Sequence, residues 1–372
     1  MKPTDAEPAV LHLYNVLGAA TEQTWLHLAQ GLGGRGYAVS AVCETLAGDP
    51  PPGLVVQRRP RVEVESGGDV EAEMNRLAEA EPPDPVPALV HGHFGPRVLH
   101  AAPYLGRGVP TVISLYGYDA SRLLRDPAWG ARYRWAAARG ATFVVLADVL
   151  RDRLIADAGL PAEAVRVIRL GVDLKDWAYA PGPGPTPPRF VFVGRFTEKK
   201  GVATLLEAIE KLPGMGLDLI GQGPLEQTLR ERVDALGIAG RVAFLGPLTR
   251  EQIRVRLGGV TALVAPSVVA ADGDAEGTPI VLMEAQAVGL PVVTTRHAGN
   301  PEVLPPGAEA SVVEEHDAAG LAAAMSAVAG MSREDRQRRQ AAGRACVERR
   351  FDLRQTVEAY AALYRERLGS GG

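Results

Sequence analysis

The sequence is poor in cysteine, in aromatic residues and in long apolar runs. Only two of its 372 residues are cysteines, Cys43 and Cys346, far apart and without CxxC spacing. That excludes a disulfide framework and a cysteine-built zinc site, and it fits a reducing cytoplasm. No stretch reaches the ~18 apolar residues that a membrane span requires. The N-terminal MKPTDAEPAV carries no apolar signal run. The expectation is a cytoplasmic protein, at most peripheral at the inner membrane face. A basic excess is also missing, since the formal net charge is -4, which argues against duplex nucleic acid as a partner. Hydrophobic residues at 46% against 23% charged leave no room for long disorder. A chain of this length suits two domains of roughly 150–200 residues each.

What is present is an alternation of short apolar runs and helical patterns, interrupted once by PGPGPTPP at 181–188. Alternating Pro and Gly can form neither a helix nor a strand interior, so this segment reads as a linker. It divides a first domain, 1–180, from a second, 189–350, with a last segment at 351–372. In the first domain, strands are expected at 9–16, 38–44, 88–94, 110–117, 142–147 and 165–173, with residues 45–68 irregular and a polar helix at 69–80. In the second, strand and helix alternate from RFVFVG (189–194) to PVVTT (291–295). That alternation implies an α/β fold of two Rossmann-like, doubly wound parallel sheets. A last amphipathic helix, 353–368, carries the stripe Tyr360, Leu363, Tyr364 and Leu368, read as packing.

Ligands of doubly wound sheets bind beyond the carboxyl ends of the strands. Three loops of the second domain carry unusual chemistry there. In GRFTEKKG (194–201), Gly194 ends a strand, and Arg195 and Lys200 sit in a loop that feeds a helix N-terminus. A planar guanidinium, a mobile ammonium and free helix N–H groups suit a pyrophosphate. A solvated charged turn would look the same. GQGP (221–224) gives a second strand–glycine–helix turn, with Gly221 and Gly223 but no third fingerprint glycine. The third loop holds GDAEGTPIVLMEAQAVG. Thr278 suits an N-cap and Pro279 a first helical position, which places Glu276 and Gly277 at the helix mouth. Glu284 falls inside the helix among Ile280, Val281, Leu282, Met283 and Ala285. It is either exposed to solvent or in need of hydrogen-bond donors such as two sugar hydroxyls.

Glu276 and Glu284, with seven residues between them and followed by GLPVV, resemble the E-x7-E signature of family 4 retaining glycosyltransferases. Arg195 and Lys200 match that family's G-R-x4-K-G. GQGPLEQTLRERVDALGIAGRVAFLG and RVIRLGVD resemble further blocks, and ATEQTW, VHGHFG and TRHAGNPE look most like the colanic-acid and exopolysaccharide branch. The resemblance implies the GT-B fold, two Rossmann-like domains facing a cleft, with the last helix crossing back to the first domain. It implies that Arg195 and Lys200 hold the donor diphosphate and that Glu276, Gly277, Thr278 and Pro279 hold the donor sugar. Glu284 would take the ribose hydroxyls, and the base would lie near Gly221, Gly223 and Leu248. Gly18 would let the first domain's backbone reach the phosphates. The activity implied is retaining transfer of a hexose-type sugar from a nucleotide diphosphate, UDP first and GDP next, to a glycan, lipid-linked or small-molecule acceptor, without a metal or other cofactor. One departure stands out, since Tyr116-Gly117 replaces the family's frequent His-Gly.

His93, Tyr116 and Asp119 are acceptor-side candidates. His91 and His93 alone make no zinc site, and no further ligand is spaced for one. Asp272 and Asp274 resemble a metal-binding D-x-D but adjoin a clamp that is already cationic. Arg122, Arg125, Arg132, Arg134 and Arg139 read either as a solvated helix face or as a site for anionic lipid. A cofactor-free nucleotide-sugar epimerase and a non-catalytic sugar-nucleotide-binding protein are the competing readings.

Overall fold

A computed structural model describes residues 7–17, 23–49, 53–64, 68–83 and 85–369. The chain forms two compact units, Met1–Arg169 with Leu353–Gly372, and Leu170–Asp352.

The first unit is built on seven strands: β1 (Ala9–Leu17), β2 (Ala38–Leu46), β3 (Val55–Arg58), β4 (Leu89–His93), β5 (Thr111–Ser114), β6 (Thr142–Val145) and β7 (Val165–Val167). Their order is β3-β2-β1-β4-β5-β6-β7 and every pairing is parallel. β4, β5 and β6 are buried at every position, as short apolar strands covered on both faces must be. The stretch 45–68 is not wholly irregular, because β3 lies within it and pairs with β2. The polar helix runs Val70–Glu79, its first turn capped by the Asp69 carboxylate. The last helix, Leu353–Gly369, belongs to this unit. It buries Tyr360, Leu363 and Tyr364 in a core shared with Val10, Leu28, Leu89 and Val144, and Leu368 packs half-buried at its edge.

The second unit carries β8 (Arg189–Val193), β9 (Gly216–Ile220), β10 (Val242–Gly246), β11 (Ala262–Ala265), β12 (Val292–Thr295) and β13 (Val312–Val313), in the order β10-β9-β8-β11-β12-β13. This sheet is also parallel throughout, with one hydrophobic cluster on each face. Asp218, fully buried in β9, is held by Arg189 Nε at 2.6 Å and Arg256 Nε at 2.7 Å.

The boundary between the units falls at Arg169 rather than near residue 180. Residues 170–180 are tied to the second unit by the Val172 N–H to Phe351 O bond (2.9 Å), the Ala180 N–H to Val288 O bond (3.0 Å) and a buried Trp177. The Pro-Gly segment 181–188 is therefore no link between units. It lies on the second unit, where Gln340 Nε2 donates to Gly182 O at 2.8 Å.

Candidate functional site

The loops following β8, β9, β11 and β12 converge in the second unit. Glycine lets two of them pass. A Cβ on Gly221, whose φ is 132°, would sit 2.0 Å from Gly194 O, and one on Gly223 would sit 2.5 Å from Phe196 O. No side chain fits at either place. The GQG turn thus presses directly on the 194–197 backbone and sets where Arg195 leaves the sheet. Arg195 is exposed, and among the described residues no side chain pairs with its guanidinium.

Glu276 is the centre of the arrangement. Its side chain is 11% exposed, with Lys200 Nζ 3.1 Å from Oε2 and Lys199 Nζ 3.6 Å from Oε1. Burial alone would raise its pKa, but the two ammonium groups prevail and hold the carboxyl below its ordinary range. Lys199 is braced in turn by Asp274 Oδ1 at 3.1 Å, so one carboxylate of the D-x-D look-alike is an ion-pair partner. Among the described residues no hydrogen-bond donor reaches Oε1 of Glu276, and neither Thr278 Oγ1 nor Thr197 Oγ1, both buried, has a partner. Buried polar atoms left open are rare, and together they mark a place where a ligand with several hydroxyls would be bound.

Thr278 is not the N-cap. The helix is Ile280–Val288, Pro279 stands at the cap with extended backbone (ψ 120°), and no side chain bonds the first turn. That extended residue carries the Thr278 hydroxyl away from the helix N–H groups, and the helix mouth stays open to a ligand. Gly289 ends the helix in the left-handed region.

Glu284 lies inside this helix, its side chain 15% exposed, with Arg250 Nη2 at 3.4 Å. Burial pushes its pKa up to about 7, against the pull of Arg250. The open cavity of about 360 Å³ beside Arg250 is lined by Asp176, Trp177, Glu251 and Arg254. Leu248, half-buried, packs against the apolar cluster on that side of the sheet.

Sequence reasoning missed Lys199, Arg250, His297 and Glu315. Lys199 adjoins Lys200 and Arg250 lies two residues beyond Leu248, so both were within reach. His297 accepts from the Glu276 backbone N–H at 3.0 Å, and its other nitrogen meets Glu315 Oε1 at 2.6 Å. Nothing in the pattern around Glu315 announces this.

The acceptor-side candidates of the first unit turn inward. Register sets His12 beside His91 and His93 beside Ser114. His12, His91 and His93 are all fully buried. His12 Nδ1 meets His93 Nε2 at 2.9 Å, and His93 Nδ1 meets the Tyr116 hydroxyl at 2.7 Å. His91 bonds Tyr364 Oη at 2.6 Å and Ser114 Oγ at 2.7 Å, and Ser114 bonds Tyr360 at 2.9 Å. His93 and the Tyr116 hydroxyl are therefore parts of an interior hydrogen-bond network. Asp119 is fully buried too, its carboxylate accepting from the N–H groups of Gly95, Tyr116 and Gly117 at 2.8–3.0 Å, so it fixes a loop. Burial drives His12 down to about 3, and His91 and His93 well below their ordinary value, so all three are neutral.

His12 is the third imidazole that the sequence did not offer, and the ring nitrogens lie within 4.8 Å of one another. Yet the His91 and His93 rings pack tilted with centroids 4.1 Å apart, and hydrogen bonds occupy both nitrogens of each. That suits a hydrogen-bonded core better than lone pairs converging on a metal.

Of the arginine cluster, Arg132 is the member committed to the interior. Arg132, 1% exposed, grips the buried Glu73 through Nε (2.9 Å) and Nη2 (2.7 Å). Arg139 lies over Trp135, Arg122 over Tyr118, and Arg134 donates to Ala158 O. Arg122, Arg125, Arg134 and Arg139 are nonetheless exposed, as on a solvated helix face, and membrane contact is not supported. Among the described residues no helix is long and apolar enough to cross a membrane. Gly18 lies outside the described residues.

Two family models match adjoining stretches, "Glycosyltransferase Family 4" over residues 21–176 and "Glycosyl transferases group 1" over residues 177–345. WcaL of Escherichia coli (strain K12), named for colanic acid biosynthesis, is 33% identical over 243 residues, which are 63% of this chain and 60% of that protein. The amylovoran biosynthesis glycosyltransferase AmsK of Erwinia amylovora is 33% identical over 223 residues, 57% of this chain and 53% of that protein. The chain thus spans only part of the length of these relatives. Among solved structures, a sucrose-phosphate synthase from Thermosynechococcus elongatus superposes with a TM-score of 0.76 at 19% identity, covering 98% of this chain and 100% of that one. HepE of Anabaena, solved with UDP and glucose, gives 0.73 at 18% identity, with coverage of 95% and 98%. These similarities are to the GT-B fold, and the chain belongs to glycosyltransferase family 4.

Proposed function

We propose that this protein is a retaining glycosyltransferase that moves a hexose-type sugar from a nucleoside diphosphate, UDP before GDP, to a glycan or lipid-linked acceptor in exopolysaccharide synthesis. The observation that carries the reading is Glu276, an ionised, buried carboxylate between Lys199 and Lys200 with one oxygen open, beside the open Thr278 hydroxyl and an unpaired Arg195. The open oxygens suit a sugar ring. The cations suit the diphosphate, whose negative charge grows as the glycosidic bond breaks. Fixed cations in a dry site stabilise that charge without reorganisation, and they do so without a metal. Glu284, pushed up to about 7 when alone, would be ionised by two ribose hydroxyls donating to it. The relatives named for colanic acid and amylovoran synthesis support the acceptor class.

The test uses water as acceptor. UDP-, GDP- and ADP-sugars are incubated with the protein in EDTA, and nucleotide release and the first-formed sugar anomer are followed by NMR. Slow release of one nucleotide, with the sugar appearing first in the donor's configuration, is expected. An inverted anomer overturns retention, arrest by EDTA overturns metal independence, and an epimerised sugar still attached to nucleotide favours the epimerase.

A further inference from the structure

Glu276 can serve a donor sugar only if its loop is held, and the hydrogen bonds that hold it constrain one another. A backbone N–H only donates. The Glu276 N–H points at His297 Nε2 at 3.0 Å, so Nε2 carries a lone pair. In the neutral ring the proton then sits on Nδ1, which donates to Glu315 Oε1 at 2.6 Å. The other Glu315 oxygen, Oε2, accepts from the Val269 N–H at 2.8 Å. Glu315 must therefore accept at both oxygens. Val269 and Glu276 stand at the two ends of one loop, which is closed internally by Ala270 N–H to Asp274 O and Gly273 N–H to Ala270 O. His297 is 1% exposed and Glu315 24%, so water competes poorly for the ring. The charged groups around the loop are Lys199, Lys200 and Asp274 beside Glu276, Glu198, whose Oε1 accepts from the Ala271 N–H at 3.0 Å, and the exposed Arg296–Glu314 pair next to His297 in sequence.

We propose that His297 and Glu315 are positioning residues for the donor sugar, clamping both ends of the Glu276 loop through a hydrogen-bond chain that works in one imidazole tautomer only. The inference rests on the donor-site reading above. It also yields a sharp variant. In Glu315→Gln one acceptor oxygen becomes an NH2 group of nearly the same size. Either Val269 loses its acceptor, or His297 turns its proton to Nε2, where it meets the Glu276 N–H head-on.

Glu315→Gln, His297→Ala and His297→Gln are compared with wild type in three ways. Ring ¹⁵N shifts of His297 read the tautomer, and amide exchange of ligand-free protein over residues 269–277 reads the loop. Turnover of whichever of UDP-glucose, UDP-galactose, GDP-mannose and ADP-glucose the wild type consumes is measured beside affinity for the parent nucleoside diphosphate. The expected result is the Nδ1–H tautomer, faster loop exchange in Glu315→Gln and His297→Ala, and turnover lower by about 10- to 100-fold. Nucleoside diphosphate affinity stays within about 3-fold, because the nucleotide is held elsewhere. His297→Gln recovers part of the loss, since its amide oxygen reaches the Nε2 position. A proton on Nε2, wild-type turnover in Glu315→Gln, or equal loss of nucleotide affinity and turnover would overturn the proposal. A wild type that consumes none of the four sugars overturns the donor-site reading instead, and the exchange and tautomer results still judge the clamp on their own.

Discussion

At the carboxyl ends of β1, β4 and β5 the polar side chains satisfy one another. Three imidazoles, four phenols and a serine form a buried network, with Asp119 bonded beside it by backbone N–H groups, and among the described residues His12 Nε2 and Asn15 Oδ1 are left open there. Beyond β8 and β11 the opposite holds, where Glu276, Thr278 and Thr197 keep buried oxygens without partners and Arg195 stands unpaired. Histidine and tyrosine clusters draw the eye as chemistry, yet here they are structure, and the plainer Lys-Lys-Glu loop is where binding capacity remains. Buried polar groups speak for function when several open oxygens gather beside cations, as they do here.

That contrast can be broken by experiment. The largest effect is expected at Glu276. Glu276→Ala should cut turnover by about 100- to 1000-fold, the scale of a lost group that acts on the transition state, whereas His93→Phe should alter stability and leave nucleoside diphosphate affinity within about 3-fold. Steady-state kinetics beside chemical denaturation separates the two.

Next comes the buried Arg132–Glu73 pair. Removing one partner strands a charge, so Arg132→Met should destabilise the protein by about 3–5 kcal/mol, and the double variant with Glu73→Leu should recover much of it. Urea titrations read both, and binding to anionic vesicles should be unchanged and negligible throughout.

Acid should find the first unit before the second. His12, His91 and His93 have folded pKa values below the ordinary 6.5 through burial. The unfolded chain therefore binds protons first, and the stability that these groups contribute is complete above pH ~6.5 and lost as pH falls. At pH 5 the loss is about 2 kcal/mol for each imidazole, visible as a drop in denaturation midpoint that His12→Gln makes shallower.

The smallest effect, and the sharpest on the second unit, concerns Glu284. Its carboxyl is raised to about 7 by burial, so its ionisation opposes folding above pH ~4.5. Glu284→Gln should add about 1–3 kcal/mol of stability at pH 8 while weakening nucleotide. In the wild type, binding should release a proton, with affinity level above pH ~7 and falling below it. Calorimetry at pH 6 and pH 8 checks this, and the glutamine variant should show no such slope.

Much of this was legible in sequence, and the exceptions share a cause. Strict strand–helix alternation and buried apolar runs gave both sheets, and residue spacing put Glu276 at a helix mouth with Glu284 inside. What failed needed distance. His12 joins His91 only through β1–β4 register, Arg132 meets Glu73 across 59 positions, and Glu315 reaches His297 from the turn after β13. Thr278 failed for a local reason, an extended Pro279 between it and the helix. The Pro-Gly segment 181–188 reads as a linker because composition reports what a segment cannot form. Its packing depends on Gln340, more than 150 residues away.

The most direct test of the central claim, that the loops beyond β8 and β11 hold a nucleoside diphosphate, is calorimetry of UDP, GDP and ADP in EDTA on wild type, Arg195→Ala and Glu284→Gln. One nucleotide should bind wild type without metal, and Arg195→Ala should weaken it about 10- to 100-fold, the worth of a charge-assisted phosphate contact, with a smaller loss in Glu284→Gln. Binding of none, or binding that ignores both residues, would contradict the assignment of this site.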